Sequence, residues 1–110
     1  LMKVIYPGHT YEAAHLDGDG TTHIQFVQRP PFHTLMEGTT AQELLRVMID
    51  RVKMLEEEIA SPLNEQILFH LRQALCLFEA RALLRKAEKK EIYPELLPVG
   101  SDGHFVLKTN

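Results

Sequence analysis

A chain of 110 residues, 45% hydrophobic and 25% charged, has the composition of an ordinary folded protein, which excludes a disordered or low-complexity role. It is long enough for one domain and too short for two, so its core must be small, and a homo-oligomer that completes it is expected. A formal net charge of -3 excludes a protein that coats polymeric DNA or RNA by bulk attraction, because such domains are usually basic; a small nucleotide in a local basic pocket remains compatible.

The N-terminus LMKVIYPGH breaks at Pro7-Gly8 before an apolar segment forms, so no signal peptide is expected. No run approaches the roughly 20 apolar residues that span a bilayer. An intracellular setting away from membranes is expected.

Residues 1–36 carry strand signals. Val4-Ile5-Tyr6, Tyr11 to Leu16 and Thr22 to Gln28 are separated by Pro7-Gly8 and by Asp17-Gly18-Asp19-Gly20. Ile24, Phe26 and Gln28 share one face of the third segment, and His23, Gln25 and Val27 the other, so it reads as a half-buried strand. The Asp-Gly pairs supply the positive φ that a hairpin turn needs. They also invite a calcium reading, but an EF-hand loop from Asp17 needs Gly sixth and Glu twelfth, where Thr22 and Gln28 stand. Arg29-Pro30-Pro31 then stops the strand, since proline cannot donate to a ladder.

The spacing predicts two helices over 39–91. Thr40-Ala41-Gln42-Glu43 fits a capping box, and Leu44, Met48, Val52, Leu55 and Ile59 follow at steps of three and four, widened by Leu45. Ser61 caps the second helix with Pro62 in its first turn. Leu63, Ile67, Leu71, Ala74 and Phe78 form its main stripe, broadened by Leu68, Leu75 and Ala82, and Lys86, Lys89 and Lys90 suit the negative end of its dipole. A connection this short makes the helices antiparallel. The fold expected is therefore α+β, a small antiparallel β arm followed by a two-helix antiparallel hairpin. It forms a single domain over 1–110, with arm 1–36, hairpin 39–91 and C-terminal tail 92–110.

Catalytic chemistry finds little purchase. Of six histidines, only His70 falls on a helix, with no second histidine one turn away, so no metal site is expected. Cys76 has no cysteine partner and sits in an apolar helical run, where it reads as a buried structural thiol. Ser61 and Ser101 lack the surroundings of a nucleophile elbow. Glu56, Glu57 and Glu58 read as a solvated charge run and not as an acid and base in separated environments. No glycine-rich phosphate loop is present. A binding protein without a cofactor, not an enzyme, is the reading that remains.

The segment EGTTAQELLRVMIDRVKMLEEEIASPLNEQILFHLRQALCLFEAR resembles the hairpin of phage anti-Thoeris sponges, the Thoeris anti-defence proteins of the first type, a hairpin shared with phage anti-CBASS sponges. The family opens this helix with G-T-T and acidic residues, continues through L-I-D/N-R and meets a second helix at P-x-x-E-N or a variant. A Leu/Ala pattern then ends in Arg. Upstream, YEAAHLDGDGTTHIQFVQRP is similar to the family's Y-E-L and I-Q-F-I-E-K strands, so the resemblance covers Tyr11 to Arg81.

The resemblance implies a phage counter-defence protein in the host cytoplasm. It would bind cyclic ADP-ribose-type immune signals and sequester them undegraded, as a dimer or hexamer, with cyclic oligonucleotides of CBASS as a further ligand in some members. Position by position, it places the family's ligand-contacting aromatic at Met54, its asparagine at Asn64, its helix-two arginine at Arg81 and its basic strand-end residue at Arg29. Guanidinium groups suit a pyrophosphate, and an amide near a helix N-terminus adds a donor where the dipole favours anions. The chain departs from the family at Met54, at His70, Arg72 and Gln73, where Lys-Leu-Glu-Glu is frequent, and at Leu77, often Trp.

Each residue also has a plainer explanation. Arg81 could be a solvated surface arginine, Asn64 a helix-start residue bonding locally, Arg29 a guard of the strand end and Met54 core filler. The alternative function is accordingly a phage structural or protein-interaction hairpin that oligomerises and binds no nucleotide.

Overall fold

The computed structural model describes residues 1–30 and 35–88, and the chain divides into two compact units, 1–41 and 42–110. The first is a three-stranded antiparallel sheet, β1 (Lys3–Tyr6), β2 (Thr10–Ala14) and β3 (Thr21–Gln25), in the order β1-β2-β3. The second holds a hairpin of α1 (Ala41–Glu58) and α2 (Pro62–Glu88). The α+β arrangement expected from the pattern is what the chain adopts; Lys89, Lys90, Ser101, Pro31 and the tail 92–110 lie outside the described residues.

The Asp-Gly run between β2 and β3 is a turn. The Asp17 carboxylate accepts the Asp19 amide at 2.9 Å, and the His15 ring bridges Asp19 O at 3.1 Å and Thr22 Oγ1 at 3.0 Å. A carbonyl only accepts, so Nδ1 carries the proton. Gly20 has φ 94°, and a Cβ there would stand 3.1 Å from His15 Nδ1, so both backbone and brace need glycine.

β3 ends at Gln25, three residues before Gln28, because the segment 36–39 comes back alongside it in an irregular fashion. Phe26 bridges Thr39 in parallel and Gln28 bridges Met36 in antiparallel sense. The Thr39 amide donates to Gln25 O at 2.8 Å and the Val27 amide to Thr39 O at 3.0 Å. Gly38 permits this approach: a Cβ would stand 2.6 Å from Gln25 O and Phe26 C. On β2, Tyr11 meets Ile24 across the ladder and packs edge-on to Phe26, with ring centroids 6.0 Å apart. Among the described residues of this unit the buried ones are polar, Thr10 and Gln28; Thr10 Oγ1 donates to Gln25 Oε1 at 2.7 Å, and both backbone groups of Gln28 pair with Met36.

α1 runs for 18 residues, five turns, and its start at Ala41 puts Thr40 in the capping position. α2 runs for 27 residues. Ser61 caps it as expected, Oγ accepting the Leu63 amide at 3.3 Å and the carbonyl accepting the Asn64 amide at 3.1 Å. An Arg46–Glu79 ion pair ties the start of α1 to the later half of α2, while Glu56 and Asn64 join across the turn, which fixes the helices as antiparallel.

The side chains buried in the hairpin are Ile49 and Val52 on α1 and Leu75 and Leu83 on α2, with Leu75 fully enclosed. These are not the main stripes of the sequence. Of the α1 stripe only Val52 is buried, and Ile49, one position past Met48, takes the inward place. On α2 the broadening residue Leu75 faces inward, while Leu63 and Ile67 stand exposed. Cys76 is half-buried and not fully enclosed.

Candidate functional site

The turn between the helices builds the most elaborate polar arrangement of the hairpin. Glu56, in the last turn of α1, aims its carboxylate over the start of α2. Its Oε2 accepts the Asn64 side-chain amide at 2.6 Å and the Ser61 backbone amide at 3.0 Å. The two bonds hold the Glu56 carboxyl below its ordinary value, the Asn64 bond contributing most and the Ser61 bond next. Beside it lies an open cavity of about 460 Å³ lined by Glu56, Ala60, Ser61, Pro62, Asn64, Glu65 and Leu68.

The electrostatics of this cavity favour donors over anions. The positive end of α2 and the backbone amides near Ser61 attract negative charge, but Glu56 already satisfies them and Glu65 adds a second carboxylate. A phosphate arriving here would have to displace Glu56 from Asn64. Glu56 is a residue that the sequence reading left in a solvated charge run. Its signal was available, because in an antiparallel hairpin turning near Ala60 the residue facing Asn64 comes from the last turn of α1.

Arg81 is exposed and sits over the Phe78 ring, its guanidinium carbon 5.9 Å from the centroid. No described carboxylate lies within ion-pair distance of it, in contrast to Arg46, which is held by Glu43 and Glu79. Arg81 and Asn64 stand seventeen positions apart on one continuous helix, about 25 Å along its axis. One chain therefore does not bring them together. Met54 is exposed, on the side of α1 turned away from Ile49 and Val52. Arg29 is exposed at the end of the irregular strand, in the other unit, immediately after buried Gln28.

Among the described residues no group of three or more His, Cys, Asp or Glu side chains is placed to hold a metal ion, and no helix is long and apolar enough to cross a membrane. His33 and His104 lie outside the described residues. No protein-family model matches this chain, and no curated protein and no solved structure matches it.

Proposed function

We propose that this protein is a phage counter-defence sponge acting in the host cytoplasm, which captures a small anionic signalling nucleotide of the cyclic ADP-ribose type and holds it chemically intact. The observation that carries the reading is Arg81: an exposed guanidinium, stacked on Phe78 and without a described carboxylate partner, offers a fork for a pyrophosphate beside an aromatic edge. The resemblance over Tyr11 to Arg81 supplies the ligand class. Asn64 belongs to the site through its amide, once the ligand replaces Glu56 as acceptor. Because of the 25 Å rise, a ligand that touches both residues takes Arg81 from one copy and Asn64 from another, so capture requires an oligomer.

The exposed apolar side chains of the hairpin favour a second reading, an interaction hairpin that assembles and binds no nucleotide. Calorimetric titration with cyclic ADP-ribose isomers, followed by heat denaturation and mass spectrometry of the released ligand, separates the two. Saturable binding with unchanged ligand is the expected result. Assembly without any heat of binding from these isomers or from cyclic oligonucleotides would leave the interaction hairpin. A cleaved ligand would make the protein an enzyme.

A further inference from the structure

Two Asp-Gly peptides, Asp17-Gly18 and Asp19-Gly20, follow one another in the exposed turn between β2 and β3. An aspartyl side chain before glycine can close on the backbone, because glycine has no Cβ to hinder its own amide nitrogen from approaching the preceding Cγ. The turn treats the two peptides differently. At the first, both reacting groups are engaged: the Asp17 carboxylate accepts the Asp19 amide at 2.9 Å, and the Gly18 amide donates to His15 O at 2.9 Å. At the second, neither the Asp19 carboxylate nor the Gly20 amide has a hydrogen-bond partner among the described residues, and both residues are exposed.

His15 keeps the second peptide in that state. Its Nδ1–H donates to Asp19 O at 3.1 Å, and the same nitrogen lies 3.1 Å from where a Cβ on Gly20 would stand. In a trans peptide the oxygen and the following Cα lie on one side and the N–H on the other. The ring that holds Asp19 O therefore faces away from the Gly20 N–H, and solvent can take that proton without any bond of the turn opening first.

We propose that Asp19 is a site of spontaneous backbone isomerisation and that Asp17 is protected from it. The Gly20 nitrogen gives its proton to solvent, and the electron pair left on it forms a bond to Asp19 Cγ. One Cγ–O bond breaks and that oxygen leaves, protonated, as water, so the cyclic imide is lighter by one water. Water then adds at the former backbone carbonyl of Asp19, and the bond from that carbon to nitrogen breaks. The product is isoaspartate, of the original mass, in which the chain runs through Cβ and Cγ and the α-carboxylate hangs free. Asp19 O, now part of that carboxylate, has left the main chain, which is one carbon longer between β2 and β3. Hairpin register follows loop length, so the bond from the His15 amide to Gly20 O, 3.1 Å in the aspartyl form, loses its fit. The inference does not rest on nucleotide capture.

Long warm incubation of the full chain at neutral pH, in buffer and in guanidinium chloride, tests the site by peptide mass spectrometry with electron-transfer fragmentation. That fragmentation cleaves the Cα–Cβ bond that only an isoaspartyl chain places in the backbone. It thus separates positions 17 and 19 from each other and from Asp102, which lies outside the described residues. The duration is set by the appearance of isoaspartate in the denatured sample. In buffer, isoaspartate at 19 should exceed that at 17 by about tenfold or more, because reaction at 17 must first open two hydrogen bonds. In denaturant the two positions should react at comparable rates. Equal yields at 17 and 19 in buffer, or none at 19, would overturn the proposal. So would a preference of the same size in denaturant, since the turn would then not be its cause. Amide exchange on the aged protein reads the consequence for the hairpin: the isoaspartyl fraction should exchange faster at His15 while α2 stays protected, and an unchanged His15 amide would refute the loss of fit.

Discussion

The side-chain amide of Asn64 donates to the Glu56 carboxylate at 2.6 Å, closing the turn between the two helices. One acidic residue from the end of α1 thereby completes the capping of α2, which Ser61 only begins. The same bond occupies the group that Asn64 would offer to a nucleotide, so under the proposed function folding and ligand capture would compete for one amide.

This bond makes hairpin stability depend on acidity in a defined direction. The folded Glu56 carboxyl is depressed below its ordinary value of 4.5, so its contribution is fully present above that value and is lost as the pH falls through the lower, folded one. The part of the melting temperature that Glu56 supplies should therefore be independent of pH near neutrality and decline in acid. Glu56→Gln should melt lower at pH 7, and its curve should converge with that of the unmodified protein once the pH has fallen through the depressed, folded value. Parallel curves at every pH would show that the carboxylate contributes nothing specific.

Glu56→Gln should also act on binding, in the opposite direction. Removing a carboxylate next to Asn64 frees the amide and relieves repulsion of a phosphate, and an exposed charge at this distance is worth a few-fold in affinity. Calorimetry is expected to show binding tighter by about threefold. Unchanged affinity would leave Asn64 as a capping residue alone.

At Arg81, lysine is the informative replacement. It keeps the charge but loses the planar fork and the stacking on Phe78, so Arg81→Lys should weaken nucleotide binding by about tenfold, comparable to losing one charge-assisted hydrogen bond. Arg81→Glu should abolish it while helix content persists. Equal binding by both variants would exclude Arg81 from the site.

Two substitutions probe the units separately. Leu75 is fully enclosed, and Leu75→Ala should cost about 2–5 kcal/mol of hairpin stability by chemical denaturation. Gly38→Ala would force a methyl group to within 2.6 Å of the backbone at Gln25 and Phe26. It should open the Thr39–Gln25 bond, seen as faster amide exchange at Thr39 and Val27, while α2 stays protected. Unchanged exchange would mean that the segment 36–39 yields without cost.

The architecture was legible because its signals are local. Ser61-Pro62 marks a helix start whatever surrounds it, and Asp17-Gly18-Asp19-Gly20 closes a turn through its own side chains. The inward faces were harder to read, because both helices carry more apolar positions than one hairpin contact uses. Periodicity therefore gave Met48 and Val52 equal standing, although only Val52 is enclosed, and it passed over Ile49. The interruption of β3 at Gln25 depends on the return of the segment 36–39, which no strand pattern encodes. At the candidate site, Arg81 and Asn64 were visible as residue types, but the 25 Å between them and the hold of Glu56 on Asn64 appear only once α2 is seen to be unbroken.

The topology has a kinetic consequence. Among the described residues, each regular element pairs with its neighbour in sequence: β1 with β2, β2 with β3, and α1 with α2. Such short loop closures give a low contact order, and chains of this kind cross their folding barrier in microseconds to milliseconds. Refolding after dilution from denaturant should have a fast first phase, independent of protein concentration, that restores the helical signal. Any slower phase that quickens with concentration then reports the meeting of copies and not the shaping of the single chain.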